Sequence, residues 1–223
     1  MNSANGPTRG TMYTHTKESQ ASLSPVDALQ ILKEGNQRFR GNLKANRNLL
    51  QQVNETKDGQ FPFAAILSCI DSRTPAELIF DQGLGDVFSA RIAGNVVNTD
   101  ILGSLEFACQ VAGAKLVVVV GHSRCGAIKG ACDGVELGNL TKLLDKISPS
   151  VEAVRDPVDA AARTSGNAQF VEAVSHENVR QAVNAISERS EVLAGMQASG
   201  AINIVGAMYD VSDGSVAFLD DPS

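Results

Sequence analysis

Leu116–Val120 reads LVVVV, and Phe63–Cys69 reads FAAILSC. These apolar runs are too short for helices, and their β-branched content favours strands. Apolar and polar residues do not alternate within them, so both faces of each strand must be covered. Parallel strands flanked by helices have that requirement. The segments around them carry the matching punctuation. Thr74-Pro75 opens a short helix that Gly83 ends, and VFSARIAG at 87–94 is a further strand. Thr99 to Ala112 reads as a helix with Leu102, Leu105, Phe107 and Ala108 apolar. Helices are expected from about Cys125 to Ala131, around Leu137 to Ile147, and over most of 150–198. AINIVGAMYDVSDGSVAFL then supplies a strand, an Asp-Gly turn region and a partner strand.

The expected fold class is α/β: a mainly parallel central β-sheet flanked by helices, with an N-terminal helical arm and a C-terminal strand pair. Residues 1–23, rich in Ser, Thr and Asn, read as a disordered arm. Ser24 suits a helix cap and Pro25 a first turn, opening a helix to about Arg40. From Gly41 to Gly59 the chain reads as polar and irregular. Residues 24–223 are expected to form a single domain, and 223 residues are ample for one core.

Composition excludes several function classes. A net charge of −6 offers no surface for a phosphate backbone, so nucleic acid is not an expected partner. No apolar run reaches the length of a membrane span, so no membrane partner is expected either. The N-terminus lacks the apolar core of a signal peptide, and four cysteines do not make a disulfide scaffold. The expected location is cytoplasmic.

The run VVVVGHSRCG, Val117–Gly126, ends in His122 and Cys125. If a helix begins near them, this spacing turns both side chains the same way. Cys69 closes the first strand. If the strands ending in Cys69 and His122 are neighbours, their tips bring Cys69, His122 and Cys125 together, where open α/β sheets place ligands. Two thiols and an imidazole suit zinc, and three protein ligands leave one position open for chemistry. Asp71 and Arg73 alternate with Cys69, so an extended segment would point all three one way. Asp71 can then accept a proton at the open position while Arg73 holds it with a forked hydrogen-bond pair. Two other readings stand beside this one. The cysteines could serve a thiol enzyme with His122 as base, or the metal could be structural in a non-enzymatic protein.

C-I-D-S-R at 69–73, R-I-A-G-N at 91–95 and G-H-S-R-C-G at 121–126 together resemble the β-class carbonic anhydrases, in intervals as well as in motifs. The resemblance runs from about Ser24 to the C-terminal strand pair and follows the plant-like, type I pattern with Gln60. It implies Zn2+ on Cys69, His122 and Cys125. It further implies reversible hydration of CO2 to bicarbonate and a proton by zinc-bound hydroxide, assisted by the Asp71–Arg73 dyad. Gly126 would help receive substrate through its backbone N–H. Gln60 would reach the pocket across a dimer interface, so a homo-oligomer, a dimer or dimer of dimers, is implied. Phe88, Ala93 and Phe107 map to the pocket lining, where plant-like members often carry Val and Tyr at the last two positions. Ile66 stands where some bacterial members carry the Trp of an inhibitory bicarbonate site, so that regulation is not expected.

Read without the resemblance, Gln60 is a solvent-facing loop residue, and Phe88 and Phe107 are core. Cys109 reads as core, Cys132 as partly exposed, His176 as helix decoration and His15 as part of the arm.

Overall fold

The computed structural model describes residues 14–219. Helices α1 (Lys17–Ser22), α2 (Pro25–Arg40) and α3 (Leu49–Thr56) precede the sheet. Strand β1 (Ala64–Ser68), helix α4 (Ala76–Ile79), strand β2 (Val87–Arg91), helix α5 (Thr99–Glu106) and strand β3 (Leu116–His122) follow. Then come α6 (Gly126–Cys132), α7 (Gly138–Leu144), α8 (Ser148–Ala153), α9 (Ala168–Arg189) and α10 (Glu191–Ala198), and strands β4 (Asn203–Tyr209) and β5 (Val216–Phe218) end the sheet. The strand order is β2-β1-β3-β4-β5, parallel throughout except for β5, which pairs antiparallel to β4. This is the expected α/β architecture, C-terminal strand pair included.

The unbroken apolar strands are central because both of their faces are covered. Every residue of β1 and β3 is buried. Successive side chains point to opposite sheet faces, so Ala65, Leu67, Val117 and Val119 pack on one side with Leu105, Val179, Ile186 and Leu193 from α5, α9 and α10. Ala64, Ile66, Leu116, Val118 and Val120 pack on the other with Ala28 and Leu32 of α2 and Ile79 and Phe80. Helix α9 lies so close to the sheet that a Cβ at Gly121 would stand 2.5 Å from Val179. Adjacent β1 and β3 run in parallel register, Ala64 opposite Leu116 and Ser68 opposite Val120. Their C-terminal ends therefore emerge side by side, as the site requires.

Helix α2 starts where Ser24 and Pro25 predict. The Ser24 hydroxyl accepts from the Asp27 N–H at 3.2 Å, and the Asp27 carboxylate accepts from the Ser24 N–H at 2.9 Å, which closes a capping box. Two expectations upstream and downstream of it are corrected. The arm expected to be disordered through residue 23 contains α1, and residues 1–13 of that arm lie outside the described residues. Helix α1 docks through Gln20, which is 6% exposed and donates from Nε2 to the Pro62 carbonyl at 2.7 Å and the Ala112 carbonyl at 2.8 Å. His15 is likewise placed, its ring edge-on to Phe63 with centroids 5.2 Å apart. The stretch expected to be irregular between Gly41 and Gly59 contains α3, capped by Asn48. Gln20→Ala should leave the buried Pro62 carbonyl and the half-buried Ala112 carbonyl without their donor and cost about 1–3 kcal/mol. Urea unfolding of the full chain measures this, and an unchanged midpoint would mean that α1 adds no stability.

Candidate metal centre

Cys69 follows the last residue of β1, His122 ends β3, and Cys125 caps α6. Their exposures are 4%, 1% and 1%. The two sulfur atoms are 3.9 Å apart, and the three donor atoms all lie within 4.8 Å of one another. The turn between His122 and Cys125 produces this convergence. His122 is still in strand conformation, and Arg124 adopts a left-handed φ of 58° that swings the chain round before α6 begins. The expectation that a shared helix face would align His122 with Cys125 is thus corrected: the alignment comes from a strand end and a turn.

Hydrogen bonding fixes the imidazole's tautomer. His122 Nδ1 lies 3.0 Å from the Ser123 carbonyl oxygen, which can only accept. Nδ1 therefore carries the proton and Nε2 presents a lone pair. Nε2 is buried and has no hydrogen-bond partner. Such an orphan facing two buried thiols fits a metal ion, because a cation would satisfy all three donors at once. The thiols themselves interact strongly. The Cys69 thiol is pulled well below the ordinary range, chiefly by its hydrogen bond with Cys125. The Cys125 thiol is pushed up by that same bond and by burial. A divalent cation would hold both sulfurs as thiolates and release their protons.

Asp71 and Arg73 sit beside this cluster, although not in the extended segment expected. Residues 71–74 make a turn closed by the Thr74 N–H on the Asp71 carbonyl at 3.0 Å. Arg73 thereby folds back onto its neighbour. Its Nε donates to Asp71 Oδ1 at 2.9 Å and its Nη2 to Oδ2 at 2.8 Å, while its backbone N–H also reaches Oδ1 at 2.9 Å. These bonds hold the Asp71 carboxyl far below the usual carboxylate range. Asp71 Oδ2 is 4.0 Å from His122 Nε2. The turn has a clamp that the sequence did not reveal. Arg91 donates to the Cys69 carbonyl at 3.0 Å and to the Asp71 carbonyl at 2.6 Å, and Thr74 Oγ1 donates to the Asp71 carbonyl at 2.9 Å. The only hint was the place of Arg91 at the head of R-I-A-G-N.

A cavity of about 260 Å³ opens onto the cluster, with Cys69, Asp71, Ala93, Gly126, Leu140 and Leu144 in its wall. Ala93 and Gly126 are therefore at the site. Phe88 and Phe107 are not: they line a separate cavity of about 670 Å³, edge-to-face with ring centroids 6.1 Å apart. Nor are they core, since Phe88 is half-buried and Phe107 is exposed where its helix loosens into a π turn over Phe107–Val111. Gln60 is exposed and lines neither cavity. Cys109 is core, Cys132 is half-buried, and His176 pairs with Glu172 along α9 at 3.4 Å.

The carbonic anhydrase family profile matches residues 64–216, which takes in the four parallel strands and all three donors. The β-carbonic anhydrase CafA of Aspergillus fumigatus superposes with a TM-score of 0.68 at 28% identity, over 87% of this chain and 90% of that one. The chain belongs to the β-carbonic anhydrase family. Carbonic anhydrase 2 of Mycobacterium tuberculosis is 35% identical over 205 residues, covering 89% of this chain and 95% of that protein. The tetrameric β-carbonic anhydrases of Sordaria macrospora superpose with a TM-score of 0.64 at 25% identity, over 75% of this chain and 85% of that one. The chain is therefore an enzyme of the carbonic anhydrase class.

Proposed function

We propose that this β-carbonic anhydrase catalyses the reversible hydration of CO2 to bicarbonate and a proton, with one Zn2+ held by Cys69, His122 and Cys125. The observation that carries the reading is the buried, unbonded Nε2 of His122, set against two thiols, of which Cys69 lines a partly apolar cavity. When bound, zinc supplies Lewis acidity that makes water a nucleophile near neutral pH.

The chain's own residues supply the rest. Asp71, kept ionised by Arg73, accepts a hydrogen bond from the attacking water and so orients its lone pair toward carbon. Because Arg73 occupies both carboxylate oxygens, Asp71 is held in one orientation before substrate arrives. Ala93, Leu140 and Leu144 give CO2 an apolar wall, which suits a small molecule with no net dipole. Gly126 is the first residue of α6, so its N–H has no intrahelical acceptor and is free to donate to a product oxygen. Stopped-flow CO2 hydration with metal analysis on the same sample tests the reading. Metal-free protein with thiol-dependent activity would instead support Cys69 or Cys125 as a nucleophile.

The working unit is proposed to be a homo-oligomer. Gln60, Phe88 and Phe107 do not line the Cys69 cavity of their own chain, so their proposed pocket role needs a second copy to bring them there. The relatives from Sordaria macrospora are described as tetrameric. Light scattering should show a dimer or dimer of dimers under assay conditions, and a fully active monomer would overturn the shared-pocket assignment of these three residues.

A further inference from the structure

Cys69 receives a hydrogen bond from the R-I-A-G-N segment. The Gly94 N–H donates to its sulfur at 3.4 Å. Gly94 lies in the short turn Ala93–Asn95 after β2, and two successive residues there are left-handed, Gly94 with φ 67° and Asn95 with φ 44°. A Cβ at Gly94 would stand 2.6 Å from Ile147 Cδ1 and 3.3 Å from Ala127 Cβ, so the turn is pressed against α6 and the chain before α8. A left-handed φ is free of strain at Gly94 and tolerated at Asn95, so the conformation itself does not fix the turn and its orientation depends on what holds it. The holder is Asn178, on α9 and only 5% exposed. Its Nδ2 donates to the Gly94 carbonyl at 2.8 Å, a buried bond between residues distant in the chain. The Ser150 hydroxyl touches Asn178 Oδ1 from the other side at 3.5 Å.

We propose that Asn178 is a positioning residue for the metal centre: by fixing the Gly94 carbonyl it aims the Gly94 N–H at the Cys69 sulfur. A hydrogen bond to a metal-binding sulfur withdraws electron density from it and holds it in place, so the bond sets both donor strength and geometry. The inference rests on Cys69 being a metal ligand, the reading proposed above. It extends that reading to a helix that contributes no ligand. Asn178 acts through the turn and does not itself touch substrate.

The test uses the full chain loaded with Co2+ in place of zinc, because the sulfur-to-cobalt charge-transfer band reports on the sulfur directly. Zinc affinity is measured in parallel by chelator competition. Asn178→Asp keeps the side chain's shape without its amide donor, and Asn178→Ser is too short to reach Gly94 and serves if the first variant folds poorly. Both should move the band to longer wavelength and weaken zinc binding by about tenfold or more. Ser150→Ala removes the neighbouring contact and should leave band and affinity as in the parent chain. A lowered unfolding midpoint of the metal-free protein with an unmoved band would assign Asn178 to packing alone and overturn the proposal. So would a shift of equal size in Ser150→Ala. Full metal retention in Cys69→Ala would sink the metal-centre reading itself, whereas unchanged Asn178 variants would sink only this inference.

Discussion

Cys69→Ala is expected to reduce bound zinc from about one per chain to near zero, and CO2 hydration to the uncatalysed background. The effect should be this large because the site has no spare donor. Among the described residues, the only group of three or more His, Cys, Asp or Glu donors able to hold a metal is Cys69, His122 and Cys125. With one sulfur removed, a two-donor remnant cannot hold a tetrahedral ion against water. The fold should survive, since the two sheet faces of β1 are packed through Ala64–Leu67, and alanine at 69 keeps an apolar side chain in the smaller cluster with Val96 and Ile128. Far-UV circular dichroism should therefore match that of the parent chain. Its thermal midpoint should fall to that of the parent stripped of metal, because bound zinc stabilises only the folded state. Elemental analysis that still finds full zinc in the variant would remove Cys69 from the ligand set.

The sheet was legible because its two innermost strands carry no polar interruption on either face, a pattern that few alternatives accommodate. Helices α1 and α3 were not legible for the opposite reason. Each buries one residue, Gln20 and Gln52 respectively, and both are polar. Helices held by a glutamine amide show no apolar period to read. Leu49, Leu50 and Val53 of α3 are exposed and give no hint of which face docks. At the site, the donors could be named from residue type and strand position. The left-handed Arg124 that lets a strand end and a helix cap share one ion could not, since spacing alone does not distinguish a turn from a helix. The Asp71–Arg73 pair was visible as a pair, but the turn that bends one onto the other depends on Arg91 and Thr74 holding backbone carbonyls. Asn178 lay beyond reach altogether. An asparagine on a mixed helix reads as solvated until packing shows that the Gly94 turn lies over it.

Arg73→Ala is expected to keep zinc and fold while CO2 hydration falls by about 100-fold or more. Arg73 is 49% exposed, and an exposed ion pair ordinarily contributes little to stability. The folded state should therefore tolerate its loss. Catalysis should not, because of where Asp71 stands. Its Oδ1 keeps the residue-73 backbone N–H in the variant, whereas Oδ2 loses its hydrogen bond from Arg73. Oδ2 is also the oxygen 4.0 Å from His122 Nε2. A carboxylate oxygen released that close to a metal-donor nitrogen becomes a competing ligand, and as it turns inward it displaces the water that Asp71 should orient. Arg73→Lys retains the charge but not the planar fork, so it should recover only part of the loss. A crystal structure of the zinc-loaded Arg73→Ala variant should show Asp71 turned toward the metal. Parent-level kcat/KM in Arg73→Ala would mean that the fork is an ordinary surface ion pair, and that Asp71 keeps its orientation through the turn and the residue-73 N–H alone.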